Sequence, residues 1–170
     1  MTEAFVALGA NLGDRLAALR GAVAALDALP ETAVVASSAV YETAALVRPG
    51  AAPQPDHLNA VVGLQTRLDP PALLRALRAI ERAAGREPAA ERWAPRPLDL
   101  DLLLWGDDEI AGPDLTVPHP ALDARRFVLV PLADVAADRV VPGLGRSVAD
   151  LLDDCPDTSR VERTSARLWP

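Results

Sequence analysis

The sequence contains no lysine: all 17 of its basic residues are arginine. A lysine Schiff base and the ammonium of a phosphate-binding P-loop are both excluded, so any anion this chain handles is met by guanidinium. Cysteine is almost absent as well. The single Cys155 has no internal disulfide partner, and nothing points to an oxidising compartment. Aromatic residues make up only 4%, too few for the strand-borne cluster that stacks RNA bases. A net charge of −7 has the wrong sign for a general nucleic-acid binder, whose affinity comes largely from phosphate neutralisation. The opening MTEAFVALGANLGD has an early acidic residue and a short apolar run, which fits neither a secretory leader nor a membrane span. The expectation is a cytoplasmic protein with no nucleic-acid and no membrane partner.

What is present is a globular composition. With 170 residues, 50% apolar and 24% charged, the chain has the length of one domain and enough apolar mass for one core. A single domain over 1–170 is expected, with its core at about 4–155 and a polar tail after Pro156 that is loosely held. The arginines are unevenly spread. Arg75, Arg78, Arg82, Arg86, Arg92 and Arg96 fall in one stretch, and Arg125 and Arg126 follow. A local basic zone on an acidic molecule attracts a small anion while the overall charge repels polyanions.

Residues 4–8 read as a strand, and Asp14 caps a helix over 15–29 whose leucines and valine recur at helical spacing until Pro30. A β-prone segment over 32–43 leads into ALVRPGAAPQPD, an aperiodic loop of a length often tied to function. The next strand is 57–66. Asp69-Pro70-Pro71 then starts a helix that ends near Gly85, with Leu73, Leu74, Leu77 and Ile80 as its buried stripe. A fourth strand covers 98–105, and Ile110 to Val117 is expected as its partner strand after a tight turn at Gly106. Residues 121–126 read as a helical turn and Phe127 to Leu132 as an apolar strand that Pro131 puts at a sheet edge. Ser147 caps a last short helix. The order β-α-β-β-α-β predicts an α+β protein, a ferredoxin-like α/β sandwich with a mostly antiparallel sheet and helices packed on it. That architecture alone assigns no chemistry.

On the fourth strand side chains alternate, so Asp99 and Asp101 share one face and Leu98, Leu100 and Leu102 the other. Two carboxylates side by side repel unless a positive group lies between them, and Mg²⁺, with its preference for hard oxygen ligands, suits the gap. A plain polar outer face on an edge strand is the competing reading. The flank favours the first. Arg92-Trp93-Ala94-Pro95-Arg96 sets guanidinium forks for phosphate and an aromatic plane for a heterocycle just ahead of the acidic pair. Phosphate grips, metal ligands and a ring platform together are what a Mg-nucleotide phosphotransferase requires.

The segment from Arg92 to Leu102, RWAPRPLDLDL, resembles the signature of the 6-hydroxymethyl-7,8-dihydropterin pyrophosphokinases. Ala7–Gly13, Tyr41-Glu42-Thr43, Asp56–Ala60 and Leu115–His119 agree with that family in the same order, so the likeness runs from about residue 4 to 132. The resemblance implies transfer of the β,γ-pyrophosphoryl group of ATP to the pterin's hydroxymethyl oxygen, in folate biosynthesis, with AMP released. It implies Asp99 and Asp101 as ligands of two Mg²⁺ ions, and Arg86 and Arg96 beside them as catalytic cations. ATP contacts fall on Glu81, Arg86, Arg92, Trp93, Thr116, His119 and Arg125. Pterin contacts fall on Thr43, Leu46, His57, Asn59, Trp93 and Phe127. The partners are then the two small-molecule substrates; a monomer is expected, although nothing in the sequence fixes the oligomeric state. His57 stands where the family commonly has Tyr or Phe, Ala44-Ala45 where it often has prolines, and Pro88 where another basic contact is frequent. Two other readings remain open: a Mg-dependent kinase acting on a different small acceptor, which would release ADP, and a non-catalytic pterin- or nucleotide-binding domain.

Overall fold

A computed structural model provides the structure, which describes residues 1–45, 47–86 and 94–169. The order of elements begins β1 (Thr2–Ala10), α1 (Arg15–Asp27), β2 (Thr32–Ser37), β3 (Tyr41–Thr43), β4 (His57–Thr66), α2 (Pro70–Ala83) and β5 (Asp99–Trp105). Local chemistry sets the helix starts. The Asp14 carboxylate accepts from the Ala17 amide at 3.0 Å, and that of Asp69 from the Ala72 amide at 2.7 Å, each satisfying an otherwise unpaired first-turn donor. Pro70 occupies the first turn of α2, where no amide hydrogen is needed.

The sheet is antiparallel throughout, with β4 paired to β1 along nearly its whole length and β1 paired to β5 at one edge. The β-prone segment splits into two. Both halves run along the far side of β4, β2 against Val62–Thr66 and β3 against His57–Asn59, with a break at Ser38 whose hydroxyl accepts from the Val61 amide at 2.9 Å. Helices α1 and α2 cover one face through Leu19, Val23, Leu26, Leu73 and Leu77, packed on Val6, Leu8, Leu64, Leu100 and Leu102. This is the expected ferredoxin-like arrangement.

The rest of the chain corrects three expectations. Ile110–Val117 is no partner strand of β5: β6 (Ile110–Ala111) and β7 (Thr116–Val117) pair with each other in a separate two-stranded hairpin. Pro113 and Gly112 reverse the chain before a longer strand can form. After a helical turn at Leu122–Ala124, the apolar run from Phe127 lies inside α3 (Arg126–Ala136), not in a strand. An interior proline costs a helix about 3 kcal/mol. Burying Val128, Leu129 and Leu132 against the second face of the sheet returns about 1.5–3 kcal/mol apiece, so packing decides the conformation. Beyond β8 (Val140–Val141) and β9 (Arg146–Ser147), α4 (Val148–Asp153) is capped by Ser147 as expected and packs beside α3. The molecule therefore has three layers, α1/α2, sheet and α3/α4.

The third correction concerns the tail after Pro156. It adds β10 (Val161–Arg163) to the edge of β3, and Leu168 is buried in the α1/α2 core. Among the described residues no helix is long and apolar enough to cross a membrane.

Candidate active site

The edge strand β5 borders a cleft of about 610 Å³ whose lining includes Asp99, Leu100, Asp101 and Leu102. The floor is a patch of sheet whose register brings Asp99, Gly9 and Asn59 into one row and Asp101 and Ala7 into the next. Thr43 and His57 face each other across β3 and β4 at one end. The N-terminal end of α3 supplies Arg125 and Phe127, and the end of α2 supplies Glu81 and Arg86. Thr116 and His119 close the side nearest the β6–β7 hairpin. Every described site residue expected from the sequence lines this one cleft. Leu46, Arg92 and Trp93 lie outside the described residues.

A chain of charges runs along the floor. Glu81 takes the third place in the α2 stripe Leu73–Leu77–Glu81, a buried carboxylate where periodicity calls for a leucine. One of its oxygens accepts from the Leu100 amide at 2.8 Å and also from Arg86. Arg86 donates in turn to Asp99 at 2.5 Å, and Arg96 donates to the same Asp99 oxygen at 3.2 Å. Burial pushes the Glu81 carboxyl up from its ordinary value, opposed by the Leu100 amide and Arg86.

Asp101 has no hydrogen bond or ion pair among the described residues. Its carboxyl is pushed up first by burial and then by the Asp99 charge, with His119, Arg125 and Arg86 pulling the other way. The Arg96 Nε is buried and has no partner among the described residues, a donor left for a ligand oxygen. Hard carboxylate oxygens, one pair of them uncompensated, together with unspent guanidinium donors, fit a divalent cation carrying a phosphorylated ligand.

Both histidines are held below their ordinary value, chiefly by burial. The Nδ1 of His119 accepts from the Ala121 amide at 3.2 Å, so the neutral ring carries its proton on Nε2. Arg125 stands over Phe127, its guanidinium carbon 5.8 Å from the ring centroid. At the other end the Asn59 amide donates to the Thr43 hydroxyl at 2.6 Å, which fixes Asn59 with its Oδ1 towards Gly9. A Cβ at position 9 would sit 3.0 Å from that oxygen. Gly9 is thus part of the site, and a glycine inside a strand was its signal.

Two further residues lie in stretches that stand out in the sequence, where they carry no assigned role. Arg78 lines the cleft one helical turn before Glu81. Asn11, almost fully buried, trades hydrogen bonds with Arg96: its Oδ1 accepts from the Arg96 backbone amide at 2.8 Å, and its backbone amide donates to the Arg96 carbonyl at 3.1 Å. That exchange fixes the path into β5.

Fold and cleft together define an α+β protein whose polar groups are arranged for a phosphorylated ligand. The model of the 7,8-dihydro-6-hydroxymethylpterin-pyrophosphokinase family matches residues 5–137, and the chain belongs to that family. It is 43% identical over 154 residues to the 2-amino-4-hydroxy-6-hydroxymethyldihydropteridine pyrophosphokinase of Synechocystis sp., covering 89% of this chain and 76% of that one. It is 46% identical over 152 residues to the protein of the same name from Pseudomonas aeruginosa, covering 89% and 91%. Among solved structures, an HPPK-DHPS chain in complex with substrates superposes with a TM-score of 0.70 at 12% identity. The wild-type Plasmodium falciparum HPPK-DHPS with SDX-DHP does so at 0.67 and 15%. The match spans 89–90% of this chain and 43% of those longer chains, and shows the shared fold.

Proposed function

We propose that the cleft carries out the reaction of its family through three groups of its own residues. The reaction is transfer of a pyrophosphoryl group from ATP to 6-hydroxymethyl-7,8-dihydropterin, in folate biosynthesis. The pterin's hydroxymethyl oxygen forms a bond to the β-phosphorus, and the bond from that phosphorus to the α,β-bridging oxygen breaks. AMP leaves with the bridging oxygen, and the hydroxymethyl proton is lost. The observation that carries the reading is the Asp99/Asp101 pair on the cleft floor, flanked by Arg86 and Arg96 on one side and by Asn59 and Thr43 on the other.

Asp99 and Asp101 are the ligands for Mg²⁺, two ions in our reading, which when bound supply charge neutralisation and orient the phosphate oxygens. Arg86 and Arg96, which pair with Asp99, present guanidinium donors to the phosphate oxygens beside the acidic pair. Arg125 and His119, whose Nε2–H is a neutral donor, hold the polyphosphate from the opposite wall, with Thr116 beside them. Arg92 and Trp93 belong to the same nucleotide set by resemblance. The pterin lies at the Thr43–His57–Asn59 end. Asn59 offers its Oδ1 to the donors along the heterocycle's edge, Phe127 and His57 offer ring faces, and Leu46 and Trp93 are further contacts by resemblance. Holding the hydroxymethyl oxygen and the phosphorus in line is the main contribution of this arrangement.

The division of labour is testable by crossed kinetics. Asp99→Ala lowers kcat by about 10²–10³-fold, the scale of losing one preorganised charge, and leaves the pterin KM nearly unchanged. Asn59→Ala raises the pterin KM and spares the ATP KM. Full turnover in Asp99→Ala overturns the metal assignment, and an unchanged pterin KM in Asn59→Ala overturns the pterin assignment.

A further inference from the structure

The chain from 44 to 56 joins β3 to β4, and its two ends deliver Thr43 and His57 to the cleft. Outside the cleft lining, two arginines from distant parts of the sequence hold these stems: Arg15 reaches both, and Arg160 reaches the outgoing one while the strand that follows it pairs with the incoming one. Arg15, the first residue of α1, donates to the Asp56 carbonyl at 2.8 Å and pairs with Glu42 at 2.9 Å. One guanidinium thus spans the incoming and the outgoing stem. Arg160 pairs with the Asp56 carboxylate at 2.9 Å, and its neighbour Val161 opens β10 directly opposite Thr43. It also contacts Glu162 at 3.3 Å.

The segment that carries Arg160 is itself anchored. Thr164 bonds the Val40 carbonyl through both its amide and its hydroxyl at 2.9 Å, Arg20 donates to the Arg167 carbonyl at 3.1 Å, and Leu168 is buried against the core.

Such partly exposed ion pairs contribute little to global stability. Their placement gives them a different role. A binding site on loop stems loses affinity when those stems must be ordered at the moment of binding, and gains it when they are already held. We propose that Arg15 and Arg160 are positioning residues that clasp the two stems of the 44–56 loop and thereby set the affinity for the pterin. This rests on the reading of Thr43, His57 and Asn59 as the pterin subsite. Arg15 meets the two stems through two separate nitrogens of its planar fork, Nη1 to the Asp56 carbonyl and Nη2 to Glu42, a spread that the single nitrogen of a lysine does not reproduce, whereas the one stem contact of Arg160, to the Asp56 carboxylate, is within a lysine's reach.

Steady-state kinetics on the full chain, with the substrates ATP and 6-hydroxymethyl-7,8-dihydropterin, test this. In Arg15→Ala/Arg160→Ala the pterin KM rises about tenfold while the ATP KM stays within about twofold. Arg160→Lys restores most of that loss and Arg15→Lys does not. Asp56→Asn, which keeps the carbonyl contact to Arg15, shows a smaller rise. An unchanged pterin KM in the double variant, with Asn59→Ala still raising it, overturns the clasp and leaves the subsite standing. An unchanged pterin KM in both overturns the subsite and the clasp together. An equal rise in both substrates' KM, or a lower melting temperature with both KM values intact, shows a merely structural role and also overturns the proposal.

Discussion

At Asp101, stability and chemistry pull in opposite directions. Burial and the neighbouring Asp99 charge push its carboxyl up, so the folded chain holds that proton more tightly than the unfolded chain does. A group raised in the folded state contributes stability below its unfolded value, near pH 4, and loses that contribution as the pH rises through the folded value. Ionisation of Asp101 is therefore disfavoured by the fold. Asp101→Asn imitates the protonated form. Its melting temperature without ligand is expected to equal or exceed that of the wild type at neutral pH. The difference shrinks as the pH falls and Asp101 takes up its proton, and turnover falls on the order of 10²–10³-fold. Thermal melts across that pH range check the first point. A variant less stable than the wild type at neutral pH contradicts it.

At the level of strands and helices, the site depends on close approach. Gly9 of β1 lies beside Asn59 of β4, and a methyl group there would meet the Asn59 oxygen at 3.0 Å while Thr43 holds the amide end. Gly9→Ala is expected to displace Asn59 and raise the pterin KM several-fold with the ATP KM little changed, as substrate titrations will show. The cap of α2 separates stability from function. Asp69→Ala removes the bond to the Ala72 amide and should cost about 0.5–2 kcal/mol in denaturant unfolding, with both KM values unaltered.

These elements also show what was legible in advance. Asp14, Asp69 and Ser147 announce helix starts through local hydrogen bonds, and the leucine stripes announce buried faces, so those helices are readable. The alternation in DLDLLLW places both aspartates on one face for the same local reason. α3 was not readable, because an apolar run with a central proline satisfies the pattern of an edge strand and only the opposing sheet face selects a helix. β10 was hidden by its polar sequence, since it is held by three residues of backbone pairing with β3. Within the cleft, the acidic pair and its arginines carry a motif. Gly9 and Asn11 fall in the Ala7–Gly13 motif and Arg78 in the arginine-rich stretch, but their roles, like that of Arg15 outside the cleft lining, come from neighbours far away in sequence.

Taken whole, the molecule is acidic, with a net charge of −7, yet Arg78, Arg86, Arg96 and Arg125 gather around one cleft at the sheet edge. Arg86 and Arg96 come from either end of the segment before β5, and Arg125 comes from the third layer, so the cleft forms only when all three layers are assembled. Focused positive charge on an acidic body favours a compact, highly charged ligand over an extended polyanion, which fits a nucleoside triphosphate. The central claim is the identity of the group transferred. The most direct measurement is to incubate the purified chain with ATP, Mg²⁺ and 6-hydroxymethyl-7,8-dihydropterin and separate the nucleotide products. The account predicts AMP, formed only when the pterin is present and in step with the pterin diphosphate. Accumulation of ADP, or of AMP regardless of the pterin, would contradict it.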